Sequence, residues 1–162
     1  MLVSFDVVSL YTKISVEEVL KVLKEITSKE ITNMVAVCLN STYFTFQGEM
    51  YEQTSGVVMG SLLSPVVDKL YMEYFEKKAL ESYPLKTREW KQFVDNTKFI
   101  WPHRREKLDD FLKHMNSQSN HIKFTMEIPK NNCLPFLDVL ITKREDGCLS
   151  HQVYWKKTHT DT

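Results

Sequence analysis

The sequence predicts an α+β fold: a mainly antiparallel sheet with helices packed on one face. Three observations lead there. Amphipathic helical stretches are interleaved with short strand-like runs in the order strand, helices, hairpin, helix, hairpin, helix, strands, which is not the regular strand–helix alternation of a parallel sheet. Several neighbouring strands are joined by turns too short for a crossover. The 162 residues, 43% hydrophobic and 26% charged, suffice for one domain with its own core.

The elements follow in order. Residues 2–8, "LVSFDVV", form a short apolar run broken by Asp6 and read as a strand. "SVEEVLKVLKEI" carries a helical stripe of Val16, Val19, Leu20, Leu23 and Ile26, with Ser15 and Glu18 at capping-box spacing. "KEITNMVAVCLN" predicts a second helix, and "YFTFQGEMYEQ" a hairpin turning at Gln47-Gly48. The stretch "TSGVVMGSLLSPVV" begins as a glycine- and serine-rich loop. In it Ser64 suits a helix cap and Pro65 the first helical turn, starting a helix that runs to about Glu81. "QFVDNTKFIW" is strand, acidic turn, strand, and "REKLDDFLKHMNS" is an amphipathic helix. "IKFTMEI", "LPFLDVLITK" and "CLSHQVYWKK" close the chain as strands separated by "PKNNC" and "REDG" turns.

The bulk numbers exclude several classes. Twenty-one basic and 21 acidic residues balance, so no strong electrostatic footprint for nucleic acid shows in the total, although the first sixty residues lean acidic. Three cysteines without CxxC spacing argue against a disulfide framework and for reduced, intracellular thiols. The histidines lack zinc-ligand spacing, no apolar run reaches membrane-spanning length, and the first residues lack the basic region, apolar stretch and cleavage site of a signal peptide. The chain opens directly on a core strand, as a piece of something longer would.

Asp6 and Asp95 each interrupt an apolar strand. A carboxylate near a sheet core costs several kcal/mol unless it is paired or metal-bound. Either aspartate alone is explained by a solvated strand end. Together with the loop between them they read as a site. Gly56 and Gly60 let a backbone approach another surface, and a helix begun at Ser64-Pro65 offers free N–H groups to a nucleotide or template strand. A tight loop with a good cap explains Ser64-Pro65 equally well, but not both glycines.

"FDVVSLYT", "GVVMGSLLSPVVDKLYMEYFE", "FVDN" and "LPFLDVLIT" stand in the order of the palm motifs of reverse transcriptases, and the chain resembles in particular those of Penelope-like retroelements. The resemblance covers essentially the whole chain, 1–162, including the closing "VYWKKTHTDT". It implies a ferredoxin-like polymerase palm and RNA-directed DNA synthesis by nucleotidyl transfer with two Mg²⁺ ions roughly 3.5–4 Å apart. RNA template, DNA primer and deoxynucleotide are the implied partners, with no membrane. By resemblance Asp6 and Asp95 are the catalytic, metal-holding acids. Tyr11 lies under the sugar and excludes a 2′-hydroxyl, while Gly60, Ser64 and Pro65 lie against the nucleotide and template. "LPFLDVLIT" falls at the primer-side hairpin.

The chain also departs from the family. Asn96 stands where the family has a second hairpin acid. Phe93 replaces tyrosine and Leu62 replaces proline. Asp68 and Lys69 stand at positions of small and amide residues, and Trp155 and Lys157 at those of arginine and proline. The palm is expected without fingers or thumb, its metal binding weakened and its catalysis impaired or lost. The alternatives are a non-catalytic nucleic-acid or protein binding remnant, or a decaying reading frame without function. Self-association through exposed apolar surface is expected, as is an intracellular location, nuclear if the substrate is chromosomal DNA.

Overall fold

The first strand shows how the sheet is built. In β1, Leu2–Val7, the side chains of Val3, Phe5 and Val7 are buried while Asp6 is exposed, so one face meets the core and the other stays open. The computed structural model describes residues 1–53, 56–58 and 60–155, with the side chains of residues 11 and 12 excepted. Helices α1 (Leu10–Lys13), α2 (Val16–Ile26) and α3 (Lys29–Asn40) follow, then the hairpin β2 (Tyr43–Phe46) and β3 (Glu49–Glu52). Helix α4 (Ser64–Ser82) leads into β4 (Arg88–Phe93) and β5 (Asn96–Ile100). A 3₁₀ turn at Arg105–Lys107 starts α5 (Leu108–Ser117), and the chain closes with β6 (Phe124–Glu127), β7 (Cys133–Phe136), β8 (Val139–Lys143) and β9 (Leu149–Val153).

The main sheet is antiparallel, in the order β4-β5-β1-β6. With its intervening helices this is the ferredoxin-like arrangement expected of the sequence, in which the first strand lies inside the sheet. Phe5, Phe99 and Phe124 point to the core face and meet Phe75 of α4 and Phe111 of α5. Phe5 and Phe99 lie 4.8 Å apart, and Phe75 and Phe124 5.9 Å. Trp101 stacks on Phe111 at 5.1 Å. These rings fasten the helices to one side of the sheet and leave Ser4, Asp6, Asn96, Lys98 and Glu127 along the other.

Local expectations meet the structure unevenly. Helix α3 and the Gln47-Gly48 turn, with φ of 52° and 84°, stand where the pattern places them. Ser15 is the N-cap of α2, but its side chain makes no cap bond, and Glu18 Oε2 instead accepts the Tyr71 hydroxyl of α4 at 2.6 Å. Ser64 is the first helical residue of α4, not its cap. Its hydroxyl donates to the Val58 carbonyl at 2.5 Å and ties loop to helix. "LPFLDVLITK" is not one strand. It breaks at Leu137, φ 54°, into β7 and β8, which with β9 form a separate three-stranded sheet. Among the described residues no helix is long and apolar enough to cross a membrane.

Candidate active site

Strands β4 and β5 are joined by two residues, Val94 and Asp95, with Phe93 paired to Asn96. So tight a turn needs a left-handed backbone at its first central position, normally glycine. Here a β-branched residue occupies it: Val94 has φ 54°. Two bonds hold that conformation in place. The Gln92 side chain donates to the Val94 carbonyl at 3.1 Å, and the Val7 N–H donates to the Asp95 carbonyl at 2.8 Å. The second bond anchors the hairpin tip to β1.

The register of β1 against β5 pairs Asp6 with Asn96. Asn96 Nδ2–H donates to Asp6 Oδ1 at 3.0 Å and to Asp95 Oδ1 at 3.5 Å. One amide therefore stands between the two carboxylates, within hydrogen-bonding reach of both. Asp6 and Asn96 line a cleft with Glu127, whose far wall is Leu137, Tyr154 and Trp155. Lys98 Nζ lies 4.8 Å over the Phe136 ring and helps seat the β7–β8 hairpin against the sheet.

Other expected residues fall around this centre. Tyr11 belongs to α1 by its backbone, but its side chain lies outside the described residues, as do Met59 and Lys157. Gly60 has φ 91°, and a Cβ there would meet nothing within 4 Å. Conformation, not close packing within the chain, is what calls for glycine there. Ser64 is buried, its hydroxyl turned inward to Val58. Pro65 is exposed and lines a second cleft, with Asp68, Phe93 and Val94, on the helix side of the hairpin.

Two acids behind the hairpin escape a reading of the sequence for sites. Asp68 and Glu76 lie on the buried stripe of α4, 3% and 5% exposed. Glu76 receives the Trp90 indole N–H of β4 at 2.7 Å and the Thr97 hydroxyl of β5 at 3.2 Å, so one carboxylate clips both strands of the hairpin to α4. Burial pushes its pKa up to about 7, the two donors holding it back. Asp68 Oδ1 is buried with no hydrogen-bond partner. Burial, and then the charge of Asp95, push Asp68 up to about 6. The signal was present in the sequence: Asp68 and Glu76 follow Ser64 at four-residue steps along an otherwise apolar face.

The donor set fits a hard divalent ion in part. Two carboxylates converge, and Mg²⁺ is commonly held by one or two carboxylates plus substrate phosphates. Among the described residues no group of three or more His, Cys, Asp or Glu side chains is placed to hold a metal. Asn96 presents N–H to both acids, so its amide must turn before its oxygen can join a cation.

Residues 1–139 match the model of the family described as reverse transcriptase (RNA-dependent DNA polymerase). No curated protein matches the sequence. Among solved structures the chain is similar to apo telomerase from Candida tropicalis truncated from its C-terminal domain, with TM-score 0.68 and 16% identity over 94% of this chain and 35% of that one. It is also similar to telomerase from Candida albicans in complex with a fragment of telomeric RNA, with TM-score 0.64 and 15% identity over 92% of this chain and 31% of that one. This chain thus spans about a third of the telomerase chains it overlies, and at such identities the likeness is one of fold. The family match carries the assignment: the chain belongs to the reverse transcriptase (RNA-dependent DNA polymerase) family.

Proposed function

We propose that this chain is the palm of an RNA-directed DNA polymerase of a Penelope-like retroelement, with its nucleotidyl-transfer centre at Asp6 and Asp95 and its catalysis impaired by Asn96. One observation carries the reading: β1 and the β4–β5 hairpin bring Asp6 and Asp95 to a single amide at the mouth of an open cleft. Asp6 and Asp95 would hold Mg²⁺, which when bound supplies Lewis-acid stabilisation of the reacting oxygens. The chain's own residues do the rest. The cleft between the open sheet face and the β7–β8 hairpin receives the primer end and its RNA template. Trp155, 85% exposed at its edge, offers a stacking surface for a base. Gly60 and Pro65 border the deoxynucleotide, and Ser64 shapes their loop through Val58.

Asn96 weakens this centre in two ways. It removes one negative charge beside the ion. It also turns a donor toward Asp6 and Asp95, which quiets their repulsion without a metal. That second effect favours the alternative reading, a remnant that binds nucleic acid without catalysis. Primer extension on an RNA template separates them, with this chain grafted in place of the palm of a related reverse transcriptase. The expected result is that Asn96→Asp raises the rate at least about 100-fold, equivalent to about 2.7 kcal/mol of barrier, and that Asp6→Asn abolishes the gain. Extension unaffected by either substitution would refute the site.

A further inference from the structure

Resting on the proposed cation site, we infer that Asp68 is a third negative charge of the Asp6–Asp95 centre, delivered from helix α4 beneath the hairpin, and that it strengthens divalent-cation binding there. Asp68 lies one turn into α4, on the buried stripe it shares with Ser64, Val67 and Met72, and is 3% exposed. It lines the cleft that reaches the hairpin at Phe93 and Val94, next to Asp95. A carboxylate withdrawn from water in this way is held, as a rule, by donors or a cation. Glu76, two turns further on, shows that rule obeyed, with Trp90 and Thr97 as its donors. Asp68 Oδ1 has no such donor.

The charges around Asp68 have been assigned elsewhere. Lys69 points outward and pairs with Glu73 at 3.7 Å, both well exposed. Lys91 of β4 lines the rim of the same cleft and is exposed, Glu73 and Glu76 are acids, and Asp95 is the charged group that acts most strongly on Asp68. Asp68, with one buried oxygen lacking a donor, therefore lies in the cleft under the hairpin turn, where the charge of Asp95 acts on it. That arrangement is unfavourable in the empty protein and is relieved by a cation at Asp95. Asp68 does not join a three-acid cluster with Asp6 and Asp95, so it acts as a charge behind the site and not as a ligand. The centre loses a charge at Asn96 and regains one from below.

The test is Mn²⁺ binding to the whole chain, followed by the electron-spin resonance signal of free Mn²⁺ and by the shift in melting temperature that Mn²⁺ produces. Wild type is compared with Asp68→Asn, Asp68→Ala, Asp68→Glu and Asp6→Asn. Asp68→Asn and Asp68→Ala should each weaken Mn²⁺ about tenfold, raise the melting temperature of the metal-free chain, and shrink the Mn²⁺-induced shift. Asp68→Glu, which keeps the charge, should stay closer to wild type than either. Loss of binding in Asp6→Asn with unchanged affinity in both Asp68 neutral variants overturns this inference and leaves the site standing. Binding that is absent in wild type, or indifferent to Asp6→Asn, overturns both.

Discussion

Glu76→Gln should flatten the pH dependence of stability, and the structure sets the sign and the size. Glu76 is 5% exposed and its pKa is raised from an ordinary 4.5 to about 7, chiefly by burial. A carboxyl whose pKa is higher in the folded chain binds its proton more tightly there, so folding favours the protonated form. The contribution is present in full below about pH 4.5 and is lost as pH rises through about 7. The displacement corresponds to about 3 kcal/mol, most of it falling between pH 5 and 8. Glutamine keeps an oxygen for the Trp90 indole and an N–H for Thr97 Oγ1, but cannot ionise. Urea unfolding followed by tryptophan fluorescence at pH 5, 6, 7 and 8 reads the effect. Asp68 titrates in a neighbouring window, from 3.8 to about 6, and adds a slope of the same sign to both proteins. The difference between the two curves therefore isolates Glu76. Wild type should lose about 2–3 kcal/mol more than the variant between pH 5 and 8. Equal slopes, or a wild type that gains stability with pH while the variant does not, would refute the assignment of Glu76 as the buried, proton-binding clip.

Ser64→Ala should lower stability by about 1–2 kcal/mol, read as a shift of the urea midpoint, because it strips the Val58 carbonyl of its buried donor; an unchanged midpoint would show that the loop is satisfied without it. The apolar surface of α3 and the β2–β3 hairpin should drive concentration-dependent self-association, since Met34, Val37, Phe46 and Met50 are between 58% and 75% exposed. Met34→Lys combined with Phe46→Lys should restore a monomer in sedimentation velocity, and a wild type that is already monomeric at high concentration would remove the premise.

Much of the frame was legible because it is written in local periodicity. The alternation of β1, the apolar stripes of α2 and α3 and the Gln47-Gly48 turn each follow from residues within a few positions of one another. Asp95 stood out at a hairpin tip for the same reason. The ordered motifs identified the family, which the match over residues 1–139 shows.

Tertiary structure decided what local pattern could not. The Ser15–Glu18 box fails to close because Tyr71, 53 residues away from Glu18, takes its carboxylate. The break in "LPFLDVLITK" carries no glycine or asparagine to announce it. The turn at Leu137-Asp138 instead forms where Pro135 and Leu137 reach the cleft beside Asp6. Ser64 reads as a cap in one dimension and becomes a cross-brace once the loop folds back on α4. Asp68 and Glu76 interrupt the apolar face of α4 in the sequence, but only the packed sheet gives Glu76 its two donors and leaves Asp68 Oδ1 without one. The sequence alone determined that an amide stands beside an acid at the hairpin tip. Only the fold decided that this amide bridges to Asp6, 90 residues away, because antiparallel register between distant strands selects which polar groups meet.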